Sequence, residues 1–487
     1  MKILRGRWEL GIGRLMLSVG KASFLAGVAC FLGLSVNAQA QEFPSKAPDD
    51  LPVSSVVLPK RVVVTLKNGL KIVMMESHRT PLITMQLVVR AGSIYDPADS
   101  PGLASAVANQ LTAGTGTMTA FQLRVAAERL GGSLSATASQ DYASIVAAGL
   151  GTDAKPLAAL LADALLHPQF PEAELNSYKQ LTTQGLIVQQ QNPDFLASEQ
   201  LAKTLFEGTR YGRETATPAG IQALTPASLK LFYQLHYSPT GAFLLVVGDF
   251  KAKAMQAILE KQFEPWKVIR GAAEALETPR IATKKGRKIY LVSRPGSVQS
   301  NILIGKTTLR RDDPAYYALQ VTNHMLGGSS SSRLFNSVRE QKGYAYSVSS
   351  RLVANALTGT FTASAQTRTA VTADALKEMI SQMQKISDRQ PENTELEAIK
   401  NNLAGNFVIG LTSQATATTY LFNVEQFNLP DDWLESFRDK ILSVRSIDVQ
   451  RTAQSLLQTD NLAIVVVGDA NALRDSLKAV GEVIEVK

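Results

Sequence analysis

Residues 327–348, GGSSSSRLFNSVREQKGYAYSV, carry three patterns of apolar spacing in turn. Gly327, Gly328 and the serines at 329, 330, 331 and 332 have little to bury, which predicts a turn with an accessible backbone. Leu334, Phe335 and Val338 then recur at helical spacing, and Gly343 is placed to end that helix in a left-handed conformation. From Tyr344 the period becomes two, with Tyr344, Tyr346 and Val348 alternating against Ala345, Ser347 and Ser349, so a strand is predicted. Arg339 near the helix end and Tyr346 early in the strand can therefore face one cleft.

Upstream, the stretch VVVTLKNGLKIVMMES reads as two strands around the turn Asn68-Gly69, and residues 82–91 alternate as a third. Helices are predicted at 101–111, with Pro101 at the first position, and at 120–130, stopped by Gly131-Gly132. A strand-like region at 133–150 is followed by helical patterns at 156–166, 171–191, 196–207 and 229–236. A buried strand then ends in a turn at 241–249, GAFLLVVGD. That run recurs as NLAIVVVGD at 461–469, 220 residues later, and the NGLKI at 68–72 is echoed by KGRKI at 285–289. Two landmarks at nearly one offset indicate an internal duplication. The expected organisation is two homologous α+β domains, 59–264 and 286–487, each a largely antiparallel sheet with helices packed on one face. A linker is expected at 265–285, where proline, glycine and charged residues concentrate.

Composition alters this picture mainly at the start of the chain. Lys2, Arg5, Arg7, Arg14 and Lys21 precede an apolar run at 24–36 that closes in Ala38-Gln39-Ala40, which predicts a signal peptide over 1–40 and a flexible lead-in over 41–58. The run is short for a bilayer span of about 20 residues, which disfavours an uncleaved anchor. No later segment has the pattern of a membrane span. Cys30 is the only cysteine and lies in that leader, with Gly27 instead of an aliphatic residue three positions before it, an arrangement unsuited to lipid attachment. Export without disulfides points to the periplasm of a Gram-negative bacterium. The leader also carries four of the eight net positive charges, so the basic balance gives little reason to expect a nucleic-acid partner.

The run SSRLFNSVREQKGYAYSV, the two strand ends closing in Gly-Asp, the phrase AGSIYDPADSPGLA and the duplicated pattern resemble the M16 peptidases, the insulinase or pitrilysin family. The likeness is greatest to the short two-domain branch that includes the mitochondrial processing peptidase, and it covers essentially all of the chain after the leader. The resemblance implies that this chain forms half of a clamshell closing over an extended peptide. In active members the helix after the GLA phrase carries HxxEH, two histidines one turn apart that bind zinc and a glutamate that activates water. Those positions hold Ser105, Ala108 and Asn109 here, and the position of the third ligand, on a later helix, holds Gly185. None supplies an imidazole or carboxylate, so no zinc site is expected in this chain.

The family's other element, an arginine and a tyrosine seven residues later, is matched by Arg339 and Tyr346. In the family these support the oxyanion formed at the scissile carbonyl. The alternative use of the pair is local, with Arg339 satisfying the helix end and Tyr346 filling a sheet face. The resemblance thus implies a chain inactive alone, a non-zinc subunit of a heterodimeric zinc metalloendopeptidase. Its partner would be an HxxEH-bearing homologue that carries the zinc, and its substrate a peptide. A proteolytically inactive scaffold or peptide-binding protein of the envelope is the second reading, and a one-chain zinc peptidase with displaced ligands the third. His78, His167, His236 and His324 show no helical pairing, and the serines at 329–332 lack a Gly-x-Ser-x-Gly elbow. The glutamines at 189–191 read as a solvated helix end.

Overall fold

The computed structural model describes residues 60–212, 216–268 and 286–486. The expected signal peptide and lead-in, and all but the first four residues of the expected linker, lie outside the described residues. The first half runs β1 (Arg61–Thr65), β2 (Lys71–Glu76), β3 (Leu82–Val89), α1 (Leu103–Gln110), α2 (Ala120–Arg129), β4 (Ser133–Ala138), β5 (Ala143–Leu150) and α3 (Ala154–Leu166). It continues through α4 (Glu172–Gln189), α5 (Pro193–Leu205), α6 (Pro218–Ala223), α7 (Pro226–His236), β6 (Phe243–Gly248) and α8 (Ala252–Phe263). Trp266 follows α8 and is buried, its indole N–H donating to the Tyr237 carbonyl at 3.3 Å.

The second half repeats the scheme with β7 (Lys288–Ser293), β8 (Gln299–Thr308), α9 (Tyr316–Gly327), a π-helical segment (Phe335–Gln341), β9 (Ala345–Ala354), β10 (Gly359–Arg368) and α10 (Thr372–Asp388). Then come α11 (Asn393–Gly410), α12 (Gln414–Gln426), α13 (Trp433–Leu442), α14 (Ser446–Leu456), β11 (Ala463–Gly468), α15 (Ala470–Lys478) and β12 (Glu482–Val486).

The sheet orders are β1-β2-β6-β3-β5-β4 and β12-β7-β11-β8-β10-β9, so five strands of one sheet correspond to five of the other. Registers match as well: Lys71 lies opposite Phe243 in a parallel pair, and Lys288 opposite Ala463 in another. Gly69 and Gly286 each precede the first of these strands with φ of 90° and 82°, a conformation glycine adopts without a Cβ penalty. The outermost strands break the symmetry. β1 is antiparallel to β2, whereas β12 comes from the chain's end and runs parallel to β7.

Each sheet packs one face on helices of its own half, giving cores that include Ile72, Met74, Met85, Leu87, Leu244 and Val246 in the first. The second sheet's counterpart includes Ile289, Leu291, Ile302, Ile464 and Val466. The opposite faces are covered by an exchange. Helix α12 lays Ala417, Leu421 and Val424 in one cluster with Val73, Phe243, Leu245 and Val247 of the first sheet. Reciprocally, α5 sets Ala197 and Leu201 against Ala463, Val465 and Val467 of the second. Burial on both faces is why FLLVVG and AIVVVG are apolar at every position, since only a strand covered on both sides has no polar alternation. Polar contacts fix the exchanged helices: Lys71 pairs with Glu425 at 2.6 Å, and Gln414 donates to the Val247 carbonyl at 2.7 Å.

Helix α1 starts at Leu103 and not at Pro101 as the proline suggested. Gly102 takes φ of +100°, and the Asp96 carboxylate accepts from the backbone N–H groups of Gly102 and Ala104, both at 2.7 Å. A cap supplied from six residues upstream replaces the one expected from local sequence.

Candidate functional site

The second-half motif is built on two irregularities. Leu334 and Val338 are fully buried and pin the inner side of the 335–341 segment, which winds as a π-helix: Lys342 N–H reaches back five residues to the Ser337 carbonyl at 3.2 Å. Gly343 closes it at φ of 60°, as the sequence predicted, and Tyr344 N–H donates to the Val338 carbonyl at 2.9 Å. The strand that follows does not alternate simply. Ser347 lies opposite Gln366, but Ala345 lies opposite Thr367, so Tyr346 is an extra residue in β9. This bulge corrects the expected alternation, because Ala345 and Val348 both point inward while Tyr346 and Ser347 both point out.

Tyr346 is thereby 81% exposed, too open for its ring to fill a sheet face. Arg339 is 44% exposed, its guanidinium 4.7 Å from the centre of the Phe335 ring and its Nε 3.7 Å from Glu340. Among the described residues it makes no hydrogen bond to a helix-end carbonyl. An exposed cation near the end of the π-helical segment and an exposed phenol early in β9 are thus each able to donate to an acceptor brought from outside.

Behind them lies a network that spacing does not announce. Ser337 donates to Glu378 of α10, Gln382 donates to the same carboxylate at 2.7 Å, and Lys342 pairs with its other oxygen at 3.0 Å. Burial alone would raise the Glu378 carboxyl, but the hydrogen bonds from Ser337, Gln382 and Lys342 outweigh it and hold it at about 2, against an ordinary 4.5. A carboxyl lowered in the folded state adds stability that is complete above the unfolded value and lost as pH falls. We expect Glu378→Gln to cost about 1–2 kcal/mol at neutral pH and to flatten the acid-unfolding profile between 4.5 and 2, measured by urea titration across pH. Arg333 adds a bidentate pair to Glu395 of α11 at 2.7 and 2.6 Å, anchoring the front of the segment.

In the first half, Ser105 and Asn109 stand one turn apart on α1, on the side that is not fully buried. Asn109 borders a cleft of about 510 Å³ between α1, α2 and α4. Ala108 points inward with no exposed surface. Gly185 lies on α4, and a Cβ placed there would meet no atom within 4 Å. A hydroxyl, a methyl, an amide and a missing side chain do not fit a zinc ion, which requires imidazole, thiolate or carboxylate donors. Among the described residues no group of three or more His, Cys, Asp or Glu side chains is arranged to hold a metal ion. We expect Gly185→Ala to stabilise the chain by about 0.5–1 kcal/mol, because helical glycine costs backbone entropy and the space is open; the melting temperature checks it.

The histidines sit among local partners. His78 bonds Asp249 and Glu76, His167 bonds Asp163 at 2.9 Å, and His324 bonds Asn402 at 2.9 Å. His236 packs between Tyr95 and Phe232, and burial lowers its pKa.

The family profile described as insulinase (peptidase family M16) matches residues 71–219, and that described as peptidase M16 inactive domain matches 223–403. The chain belongs to the M16 peptidase family. The boundary between these M16 profiles precedes the end of the first structural half, whose sheet is completed by β6 at 243–248. An uncharacterized zinc protease of Bacillus subtilis is 27% identical over 285 residues, 58% of this chain and 68% of that protein. One of Streptomyces coelicolor is 25% identical over 397 residues, 81% of this chain and 86% of the relative. A solved M16 inactive-domain structure from Pseudomonas fluorescens superposes with a TM-score of 0.79 at 26% identity, covering 84% of this chain and 98% of that one. A Helicobacter pylori protease, at 22% identity, gives the same TM-score of 0.79 over 85% of this chain and all of the other, a likeness of fold. Among the described residues no helix is long and apolar enough to cross a membrane.

Proposed function

We propose that this M16 chain is the non-zinc-binding subunit of a heterodimeric zinc peptidase exported to the periplasm. The observation that carries the reading is the contrast between the halves. The positions that the family resemblance assigns to the ligands and base hold Ser105, Ala108, Asn109 and Gly185, while Arg339 and Tyr346, which match its Arg/Tyr spacing, are exposed. A chain that had lost all use for substrate would have no reason to hold an exposed phenol on a bulge and an exposed guanidinium in the segment before it.

In this reading the partner is an M16 homologue with HxxEH, whose zinc supplies the activated water. This chain contributes half of the peptide chamber. Arg339 and Tyr346 donate hydrogen bonds to the substrate backbone, and to the scissile carbonyl oxygen as it gains charge, where fixed donors are most effective. Copurification from the native cell tests the pairing: recovery of an HxxEH-bearing M16 chain in equal amount supports it. Recovery of this chain with no such homologue, although it still binds peptides, would support the envelope scaffold reading instead.

A further inference from the structure

Arg311, just before α9, is enclosed by three aromatic rings, with Tyr316 and Phe427 centred 5.5 Å and Trp433 5.7 Å from its guanidinium. The rings offer attraction to a cation but no hydrogen-bond acceptor of the strength a guanidinium requires. Its Nε is buried without a partner, and among the described residues it forms no ion pair. Burial opposes its charge, yet an arginine does not discharge in a protein. An enclosed cation with no counter-ion is costly, and such groups are ordinarily paired.

Arg311 opens on a cavity of about 500 Å³ walled by the β4–β5 turn, the start of α5, the end of α12 and the β9–β10 hairpin, where the two halves meet. Gln426 is only 6% exposed and lines the same space, and its Oε1 has no partner. The Asn423 amide beside it is also free of protein partners among the described residues. One carboxylate borders the cavity, that of Asp141, and it is already engaged. Its Oδ1 accepts from the Tyr211 hydroxyl at 2.6 Å and its Oδ2 from Ala356 N–H at 2.9 Å. The wall therefore presents one cation without an ion-pair partner, two neutral amides and the hydrogen-bonded Asp141 carboxylate.

We propose that this cavity binds a carboxylate, with Arg311 as the charged donor and the Gln426 Nε2 and Asn423 Nδ2 groups as neutral donors, the Gln426 amide turning its Oε1 away from the anion. With Asp141 on the same wall, a single carboxylate adds one negative charge that lies against Arg311, whereas a phosphate dianion would double that excess next to Asp141. Gln140 and Asn355 line both this cavity and a groove of about 450 Å³ between α5 and the outward side of β9 and β10. The carboxylate is accordingly that of an extended peptide lying in the groove, at its C-terminus or on a side chain. That peptide origin rests on the function proposed above, but the binding needs no partner and is read on this chain alone.

The test is titration calorimetry with the full chain and four probes: acetyl-Ala-Ala-Ala as free acid, its carboxamide, acetyl-Ala-Glu-Ala carboxamide, and inorganic phosphate. Binding of the free acid but not its carboxamide assigns the site to a peptide C-terminus, and binding of the glutamate peptide assigns it to a side chain. Arg311→Gln weakens binding about ten- to hundredfold, the range expected for a charge-assisted hydrogen bond. Gln426→Leu, which leaves the aromatic cage intact, weakens it several-fold without lowering the melting temperature. Free acid and glutamate peptide both binding no tighter than the plain carboxamide, binding of phosphate alone, no binding at all, or unchanged affinity in Gln426→Leu would each overturn the assignment. None of those results bears on whether a zinc-bearing partner exists.

Discussion

Arg339→Ala in the reconstituted two-chain peptidase is expected to lower kcat/KM about 10²- to 10³-fold, the loss found when a fixed donor to a developing oxyanion is removed. In the free chain the guanidinium is 44% exposed and stacked on Phe335, so it costs little to keep in place. In the proposed function, closure over a peptide would remove water from the same group, and its hydrogen bond would be worth more there than in solvent. If the donation strengthens as the carbonyl gains charge, kcat falls while KM changes little. Tyr346→Phe keeps the ring and loses one neutral donor, for which about a tenfold loss is expected. Both variants should melt within about 0.5 kcal/mol of the parent, because neither side chain is packed into the core. Steady-state kinetics beside thermal denaturation separates a functional loss from an unfolded protein.

Gly248→Ala should have the largest effect on stability. Gly248 ends β6 at φ of +137°, where a side chain is strained. A Cβ there would come within 2.1 Å of the Leu82 carbonyl oxygen, 2.8 Å of Ile83 Cα and 2.9 Å of the Gln414 amide. The first two contacts are backbone in the adjacent strand, and the third belongs to the exchanged helix α12. The strand pair and the helix cannot all keep their places, and a loss above about 3 kcal/mol is expected. Gly405→Ala on α11 is the contrasting control, since nothing lies within 4 Å of its added methyl; it should gain about 0.5–1 kcal/mol. Urea unfolding of the two variants side by side checks the pair.

The duplication was legible because its landmarks are local. Runs ending in Gly-Asp, and glycines before Lys71 and Lys288, are visible without knowing what they pack against. The resemblance places Ser105, Ala108, Asn109 and Gly185 at the family's ligand and base positions, and the chemistry of those side chains, unlike their placement, is read from residue identity alone. Other features depend on distant parts of the chain. The wholly apolar β6 and β11 say that both faces are covered, but not that α12 and α5 cross between halves to cover them. The sequence from Tyr344 to Ser349 alternates perfectly on paper, yet the register imposed by β10 inserts Tyr346 as a bulge. Glu378 lies 41 residues from Ser337, and the network holding the π-helical segment has no spacing signature.

The proposed division of labour between two chains is read out by peptidase activity on a fluorogenic peptide. This chain, an HxxEH-bearing M16 homologue from the same cell, and an equimolar mixture are assayed in parallel. This chain alone is expected to cleave nothing, and the mixture to be active well beyond the sum of the two, with the gain lost in Arg339→Ala. Cleavage by this chain alone, or a mixture no more active than the homologue, would contradict that division of labour.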